Sequence, residues 1–371
     1  MQRSHPLFND NKLKLGLFSI NCSYGCAIST APGTLQIDWK ENLKLSQAAD
    51  RAGYEVLVPV GRWRGFGGTT NFNGTNFETY TWAAGISQAT EQIGVLTTSH
   101  VPTVHPIVAA KQAATIDHIG GGRFGLNIVC GWSKPEMEMF GKTIMEHDTR
   151  YDYAAEWVEI LKMLWTREEE FDYEGKFLRV SRGFSMPKPI QKPYPPLMNA
   201  GGSTKGRAFC AKYCDVAFLL LDPNDFEQTR ALIASYRRFA RAEYGRDLQI
   251  WSYAYVVDAE TRKDADDYLH EYVVRQGDNV AADNIFTDLG VQTQNFTPEQ
   301  YKDFRFHFMA GWGGFPLVGT REHIVDQLQK LSDAGLDGIA LSWLDYYAGI
   351  ERWNRTILPL MEQAGLRHAF R

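Results

Sequence analysis

Polar side chains interrupt two apolar segments in the first third of the chain. Thr98 stands near the end of one segment, and Asn127 lies within the otherwise apolar run 124–129. Buried parallel strands have such apolar runs, and barrel enzymes place their chemistry at the strand ends. A hydroxyl and an amide can hydrogen-bond a ligand without titrating. Taken alone, Asn127 is equally a core residue that satisfies nearby backbone, and Thr98 a strand threonine with a packed methyl group.

A phosphate site is suggested after the segment 196–200. Gly201-Gly202-Ser203 opens a predicted helix, so free backbone N–H groups and the Ser203 hydroxyl could hold phosphate oxygens. Arg150-Tyr151, near another helix start, could add a charged fork and a phenolic donor. Glycine and serine also simply turn and cap helices, and an isolated arginine commonly forms a surface ion pair.

Further residues are candidates for contact with a small substrate. Arg62 and Arg64 could bind an anionic or carbonyl-bearing group, or could be structural ion-pair partners. His100 could face a pocket or be a satisfied buried histidine. His105 precedes a proline at a helix start, where we expect it to cap and pack. Trp132 could wall a ring site, although tryptophans at strand ends often fill core.

Composition excludes several classes of function. The 371 residues carry a net charge of -5, which offers no basic face for nucleic acid. The first residues have no signal core, and no apolar run approaches the roughly 20 residues of a membrane helix, so we expect a cytoplasmic protein. Five cysteines, including two C-x₃-C pairs, lack histidines at zinc-ligand spacing. We therefore expect free thiols and no metal site.

Strand-type segments alternate with helical patterns along the whole chain. The candidate strands are 14–20, 54–60, 93–99, 124–129, 196–200, 215–221, 250–257 and 338–343. The candidate helices are 39–52, 77–90, 106–119, 150–165, 204–213, 225–244, 259–275, 321–334 and 350–364. Such units in series predict an α/β fold, a (β/α)8 TIM barrel, with a doubly wound sheet as the alternative.

A minimal barrel needs about 250 residues, which leaves room for insertions. The longest are 61–80, 167–195 and 277–317, and no linker divides the chain, so we predict one domain over residues 1–371. The polar segment 277–317 cannot form a core of its own, but its aromatic end has surface to bury. It is either a mobile lid over a bound ligand or a fixed arm that contacts another subunit.

In chain order these residues resemble the bacterial-luciferase-like flavin monooxygenases. The resemblance is closest to the branch of pyrimidine monooxygenases that open the uracil ring and of dimethylsulfone monooxygenases. Its most specific parts are the block 115–136 and the stretch Arg64-Gly65-Phe66-Gly67-Gly68. Beyond residue 222 it rests on a barrel pattern and on the turn 317–320. The resemblance implies a luciferase-like barrel with insertions.

The resemblance also implies roles for the candidates. The positions that match the branch's FMN site are Gly61, Arg62, Asn127, Glu136, Arg150, Tyr151 and Ser203, to which the glycine turn adds Gly202. Thr98 and Asn127 match the pair beside the flavin N5 edge, where dioxygen is received. Light-emitting luciferases have a catalytic histidine where this chain has Gly61-Arg62, so aldehyde-dependent light emission is not expected.

The implied activity is that of a two-component, FMNH2-dependent monooxygenase. A separate NAD(P)H:flavin reductase supplies reduced FMN, dioxygen adds at C4a or N5, and the flavin peroxide oxidises a small organic molecule. Cleavage of a C–N bond in a heterocyclic amide is favoured, with oxidation of a C–S bond second. No G-x-G-x-x-G follows a predicted strand, so NAD(P)H acts through the partner. A homodimer or homotetramer is expected. The alternatives are a deazaflavin (F420)-dependent dehydrogenase and a non-catalytic flavin-binding protein.

Overall fold

The computed structural model describes residues 5–291 and 296–370. Residues 1–4, at the start that shows no signal core, and residues 292–295, inside the predicted insertion 277–317, lie outside the described residues. Within the described ranges, no helix is long and apolar enough to cross a membrane.

The strands form a closed parallel barrel with additions. They are β1 (Lys14–Phe18), β2 (Val56–Val58), β3 (Gly94–His100), β4 (Phe124–Val129), β5 (Phe171–Glu174), β6 (Arg179–Gly183), β7 (Leu197–Asn199), β8 (Val216–Leu219), β9 (Gln249–Asp258), β10 (Phe315–Gly319) and β11 (Gly338–Ser342). Neighbours pair in the order β1-β2-β3-β4-β7-β8-β9-β11, and β11 pairs with β1. This confirms the (β/α)8 barrel, and the doubly wound alternative is wrong.

Helices surround the barrel. They are α1 (Trp39–Arg51), α2 (Thr79–Ala89), α3 (Pro106–Ile119), α4 (Lys134–Met139), α5 (His147–Thr166), α6 (Thr204–Tyr213), α7 (Phe226–Tyr244), α8 (Arg262–His270), α9 (Asn279–Leu289), α10 (Pro298–Gly311), α11 (Arg321–Asp333), α12 (Tyr346–Thr356) and α13 (Leu358–Gln363). His105 caps α3 as expected, because its Nδ1 accepts from the Ile107 N–H at 3.3 Å.

Side chains alternate between the inside and the outside of the barrel along each strand. In β9, Trp251 and Tyr253 point inward and join Phe18 in the interior apolar cluster. Ile250 and Ala254 belong to the larger cluster between strands and helices. The same alternation decides which polar residues of β3 and β4 reach the barrel interior.

Two of the predicted insertions pack against each other. Phe66 and Phe72 share an apolar cluster with Ile285 of α9 and Phe308 of α10. We call residues 61–78 together with α9 and α10 the cap. The segment 277–317 is thus largely helical, which its polar composition did not predict, and it obtains an apolar core by sharing one with 61–78.

The end of that insertion needs correction. The predicted turn 317–320 is instead the end of β10, which pairs in parallel with Ala254–Asp258 of β9, followed by Thr320, which caps α11. A strand of five residues at the edge of a sheet, with a proline in it, is difficult to recognise from the sequence. The insertion 167–195 also contains structure, because β5 and β6 form an antiparallel pair.

Candidate active site

A cavity of about 440 Å³ lies at the carboxyl ends of the barrel strands. Its volume falls within the roughly 300–1,000 Å³ of small-molecule sites. The predicted site residues that line it are Gly61, Arg62, Thr98, His100, Asn127, Trp132 and Gly202. The structure therefore brings together residues that are up to 141 positions apart in the sequence, from Gly61 to Gly202.

Thr98 and Asn127 are direct neighbours on paired strands. The register of β3 and β4 places them side by side, and the Asn127 Nδ2 donates to Thr98 Oγ1 at 3.1 Å. Thr98 Oγ1 in turn donates its proton to the Pro59 carbonyl. These two hydrogen bonds orient the Asn127 amide and leave its Oδ1 buried without a partner among the described residues. An unsatisfied buried acceptor beside a cavity indicates a ligand donor.

Arg62, which lines the cavity, forms a buried ion pair with Glu136, which does not. Arg62 Nη1 lies 3.1 Å from Glu136 Oε1, and the side chains are 3% and 0% exposed. The same carboxylate oxygen accepts from the Trp63 N–H at 2.8 Å. The Arg62 guanidinium also contacts two aromatic rings, 4.9 Å from the centroid of Phe66 and 5.0 Å from that of Trp132. Such stacking favours arginine over lysine at this position.

His100 faces the other oxygen of this carboxylate. Its Nδ1 lies 3.5 Å from Glu136 Oε2, too far for a hydrogen bond of good geometry. Burial, followed by the nearby Arg62 guanidinium, lowers the pKa of His100 to about 3. These two effects outweigh the adjacent Glu136 carboxylate, so the imidazole is neutral.

The start of α6 lies beside Gly202 at the cavity. Ser203 is the N-cap, and its Oγ accepts from the Gly206 N–H at 3.0 Å, while its hydroxyl also lies within hydrogen-bonding reach of the Tyr151 side chain. A Cβ on Gly202 would meet nothing within 4 Å, so open space adjoins this helix end. The capping role and the predicted phosphate role of Ser203 are compatible, because they use different parts of the hydroxyl.

Tyr151 and Arg150 approach this helix end from α5. A Cβ on Gly206 would lie 2.7 Å from the Tyr151 hydroxyl, so the close approach requires glycine there. Burial is the main reason that the pKa of Tyr151 is raised to about 12, and the phenol is therefore a proton donor. Arg150 Nη1 donates to the Gly131 carbonyl at 2.5 Å, while its Nε has no partner among the described residues.

The predicted residues outside the cavity wall fall into two groups. Glu136, Arg150, Tyr151 and Ser203 do not line it, but Glu136 is paired with the lining residue Arg62, and Ser203 directly follows the lining residue Gly202. Arg64 is exposed on the cap and does not line the cavity. The structure thus does not bring Arg64 to the other substrate candidates.

Aromatic residues that sequence reasoning missed complete the wall. They are Phe18, Phe218, Tyr236, Tyr253 and Trp312. Phe18, Phe218 and Tyr253 pack together in the barrel interior with centroids 4.9–5.5 Å apart. Strand alternation could have identified these three. Trp312 has no such pattern, since it comes from the end of α10 in a left-handed conformation with φ of 56°.

The polar atoms left without partners fit a flavin mononucleotide. Arg62 Nε, His100 Nδ1, Asn127 Oδ1, Glu136 Oε2 and Arg150 Nε are buried and unpartnered within the described chain. Of these residues, Arg62, His100 and Asn127 line the cavity, whose aromatic and aliphatic side chains suit an isoalloxazine ring, and a helix N-terminus beside it suits the phosphate. The described residues contain no cluster of three or more His, Cys, Asp or Glu that could hold a metal ion, and the cysteines are free thiols.

Comparison with known proteins agrees with this geometry. The family described as luciferase-like monooxygenase matches residues 18–338. A pyrimidine monooxygenase RutA of Bradyrhizobium sp. is 30% identical over 369 residues, which cover 96% of this chain and 99% of that protein. An FMNH(2)-dependent dimethylsulfone monooxygenase of Pseudomonas putida is 29% identical over 360 residues, or 95% and 96% of the two chains.

A solved structure supports the fold. A riboflavin lyase (RcaE), crystallised with modified FMN and riboflavin, superposes with a TM-score of 0.85 at 20% identity, covering 96% of this chain and 93% of that one. Luciferase-like monooxygenases depend on reduced flavin. Because the family match and the full-length relatives agree with the barrel, the chain belongs to the luciferase-like monooxygenase family and is a flavin-dependent monooxygenase.

Proposed function

We propose that this chain binds FMNH2 supplied by a separate NAD(P)H:flavin reductase and uses dioxygen to oxidise a small organic molecule. The observation that carries the proposal is the pair Thr98 and Asn127, which leaves one oriented, unpartnered acceptor in a largely aromatic cavity. A site that receives dioxygen needs few titratable groups, because bound reduced FMN supplies the electrons that activate dioxygen.

The chain's own residues would divide the binding work. Ser203, the Gly202 backbone, Arg150 and Tyr151 would hold the phosphate at the start of α6. Gly61, Arg62, Asn127 and Glu136 would hold the ring system. Trp132 and Trp312 would exclude water from the reacting edge.

Thr98 acts in this proposal as a positioning residue. Its proton is already committed to the Pro59 carbonyl, so it cannot donate to a ligand without releasing that bond. It instead holds the Asn127 amide so that Oδ1 faces away as an acceptor. The N–H groups of a reduced flavin are donors that such an acceptor would bind.

The substrate we favour is a heterocyclic amide, cleaved at a C–N bond. The stretch 64–68 resembles the ring-opening branch, and a pyrimidine monooxygenase is similar over nearly the whole chain. Oxidation of an organosulfur compound is the second candidate, because a dimethylsulfone monooxygenase is similar to almost the same extent. The cytoplasmic location, the single domain and the homodimer or homotetramer stay predictions.

An isotope experiment tests the proposal. The protein is incubated with FMN, a flavin reductase, NADH, ¹⁸O₂ and either a pyrimidine or dimethyl sulfone, and the products are analysed by mass spectrometry. We expect one ¹⁸O atom in a substrate-derived product. A deazaflavin-dependent dehydrogenase or a non-catalytic flavin-binding protein would give no ¹⁸O-labelled product from any substrate, and that result would refute the proposal.

A further inference from the structure

His100 lines the cavity, and the groups around its imidazole determine which ring nitrogen donates a hydrogen bond and which accepts one. It is the last residue of β3, and its side chain is 3% exposed. Its Nδ1 and Glu136 Oε2 lie 3.5 Å apart, and neither atom has a hydrogen-bond partner among the described residues. The two atoms are therefore neighbours at a distance slightly longer than a hydrogen bond.

The local charge balance keeps the ring neutral. The charged groups that face it are Glu136, from α4, and Arg62, from the connection after β2. Arg62 already compensates the Glu136 charge through its contact with Oε1. A protonated His100 would therefore place a second cation in a buried site, which is costly. The lowered pKa of His100 agrees with this balance.

The neighbouring carboxylate selects the tautomer. A neutral imidazole has one N–H and one lone pair. A lone pair on Nδ1 would repel the Glu136 oxygen, whereas an N–H is attracted to it, so the proton belongs on Nδ1. The lone pair is then on Nε2, at the opposite side of the ring. Nε2 borders Gly61, another residue of the cavity wall, since a Cβ on Gly61 would lie 3.5 Å from it.

We propose that His100 Nε2 accepts a hydrogen bond from a substrate N–H and is a specificity-determining residue of this enzyme. It would favour cyclic amides that carry an N–H over N-alkylated amides and over sulfones, which have no donor. The inference rests on the proposed function and names a group by which the site recognises its substrate. A substrate in which that N–H is replaced leaves a buried acceptor unpaired, and such a loss weakens binding.

Substrate discrimination in matched variants tests the proposal. kcat/KM is measured for uracil and for 1,3-dimethyluracil, and the ratio of the two values gives the preference for uracil. If 1,3-dimethyluracil is not turned over, inhibition constants are measured for both molecules and their ratio is used. The wild-type ratio is compared with those of His100→Leu, which lacks an acceptor, and His100→Gln, which keeps one. His105→Gln is the control, because His105 caps α3 outside the cavity wall. The ratio cancels any loss shared by both molecules, such as weaker FMN binding.

We expect His100→Leu to reduce the preference for uracil about tenfold, as expected for one lost hydrogen bond. His100→Gln should recover part of the preference, and His105→Gln should leave it unchanged. An unchanged ratio in His100→Leu, in an enzyme that oxidises uracil, overturns the His100 assignment alone. Failure of the wild-type protein to oxidise any amide overturns the proposed function instead.

A tautomer measurement decides the His100 assignment without turnover. The protein is labelled with ¹⁵N-histidine, and the resonances of His100 are identified by their loss in His100→Gln. We expect a neutral ring with the proton on Nδ1 from pH 5 to 9. A proton on Nε2, or a titration within this range, would overturn the proposal, since either removes the acceptor from the cavity.

Discussion

Glu136 connects three parts of the site through one carboxylate. One oxygen accepts from the Arg62 guanidinium and the Trp63 N–H, and the other faces His100. Its sequence context, Lys134-Pro135-Glu136, indicates a charged residue on an exposed helix, and only the family resemblance identified Glu136 as a candidate site residue. The residue is fully buried, and the chain before α4 passes through Gly131, whose φ of 89° favours glycine.

Glu136→Ala should strongly destabilise the protein. The change leaves Arg62 buried without its counter-charge, so we expect the free energy of unfolding to fall by about 3–5 kcal/mol in urea denaturation. Glu138→Ala on the same helix is the control. Glu138 forms an exposed pair with Lys134 at 3.7 Å, so its loss should change stability by less than about 1 kcal/mol. Equal effects of the two variants would show that the buried pair is not needed for folding.

Asn127→Ala should separate flavin reoxidation from substrate oxidation. The variant removes the oriented acceptor beside the cavity, and we expect the product formed per NADH consumed to fall about tenfold while hydrogen peroxide rises. Thr98→Val should act in the same direction, because Asn127 loses its anchor. Ser99→Ala is the matched control, since Ser99 lies on the same strand but does not line this cavity. Full coupling in both cavity variants would refute the assignment of the oxygen site.

Helices of this barrel were predictable where a cap and an apolar period coincide. α3 and α6 have the predicted bounds, because Pro106 opens the first and Ser203 caps the second. α4 was missed, because it spans six residues, too few to show a helical period. α5 begins at His147, which places Arg150 within the first turn.

The start of α6 supports a charge-specific test of the phosphate site. Ser203→Asp keeps a capping oxygen for the Gly206 N–H, but its negative charge opposes a phosphate. We expect the affinity for FMN to fall at least tenfold while thermal stability is kept. Thr261→Asp, at the N-cap of α8, is the control, because neither that residue, its chain neighbours nor any residue of α8 lines the cavity, whereas Ser203 adjoins the lining residue Gly202. Unchanged FMN affinity in Ser203→Asp would place the phosphate elsewhere.

The cap supports a test of the lid and arm hypotheses. Asp278 joins its two parts, because Oδ2 accepts from the Thr70 N–H and hydroxyl at 2.7 and 2.8 Å. We expect FMN to slow limited proteolysis within 277–317 in the wild type, and Asp278→Ala to accelerate it. Asp225→Ala, which removes the exposed N-cap of α7, should leave cleavage of the cap unchanged. Equal resistance with and without FMN would favour a fixed subunit-contact arm.

The barrel as a whole was more predictable than its cavity. Apolar segments and turn residues identify the eight barrel strands, because each strand is buried on both faces. The cavity wall depends on contacts between distant segments, which no local period records. Trp312 enters from the cap and Tyr253 from β9, whereas the tryptophans Trp82 and Trp343 fill the core.

We predict that the molecule does not reduce its own flavin with NADH. A Rossmann dinucleotide site has the motif G-x-G-x-x-G between a strand and a helix, and no G-x-G-x-x-G follows a strand in this sequence. The cavity of about 440 Å³ is of the size that holds a small molecule. We therefore expect NADH and FMN alone to give no product.

Either of two sources of reduced flavin should give product. A flavin reductase supplies FMNH2 continuously, and photoreduced FMN without NADH should support a single turnover, because in the proposed function the chain uses reduced flavin and does not bind nicotinamide. Product is measured by chromatography, and NADH consumption by its absorbance. NADH consumption by the chain and FMN in the absence of reductase would contradict the two-component assignment. Turnover with the reductase but not with photoreduced FMN would instead mean that the partner must dock on this barrel to deliver its flavin.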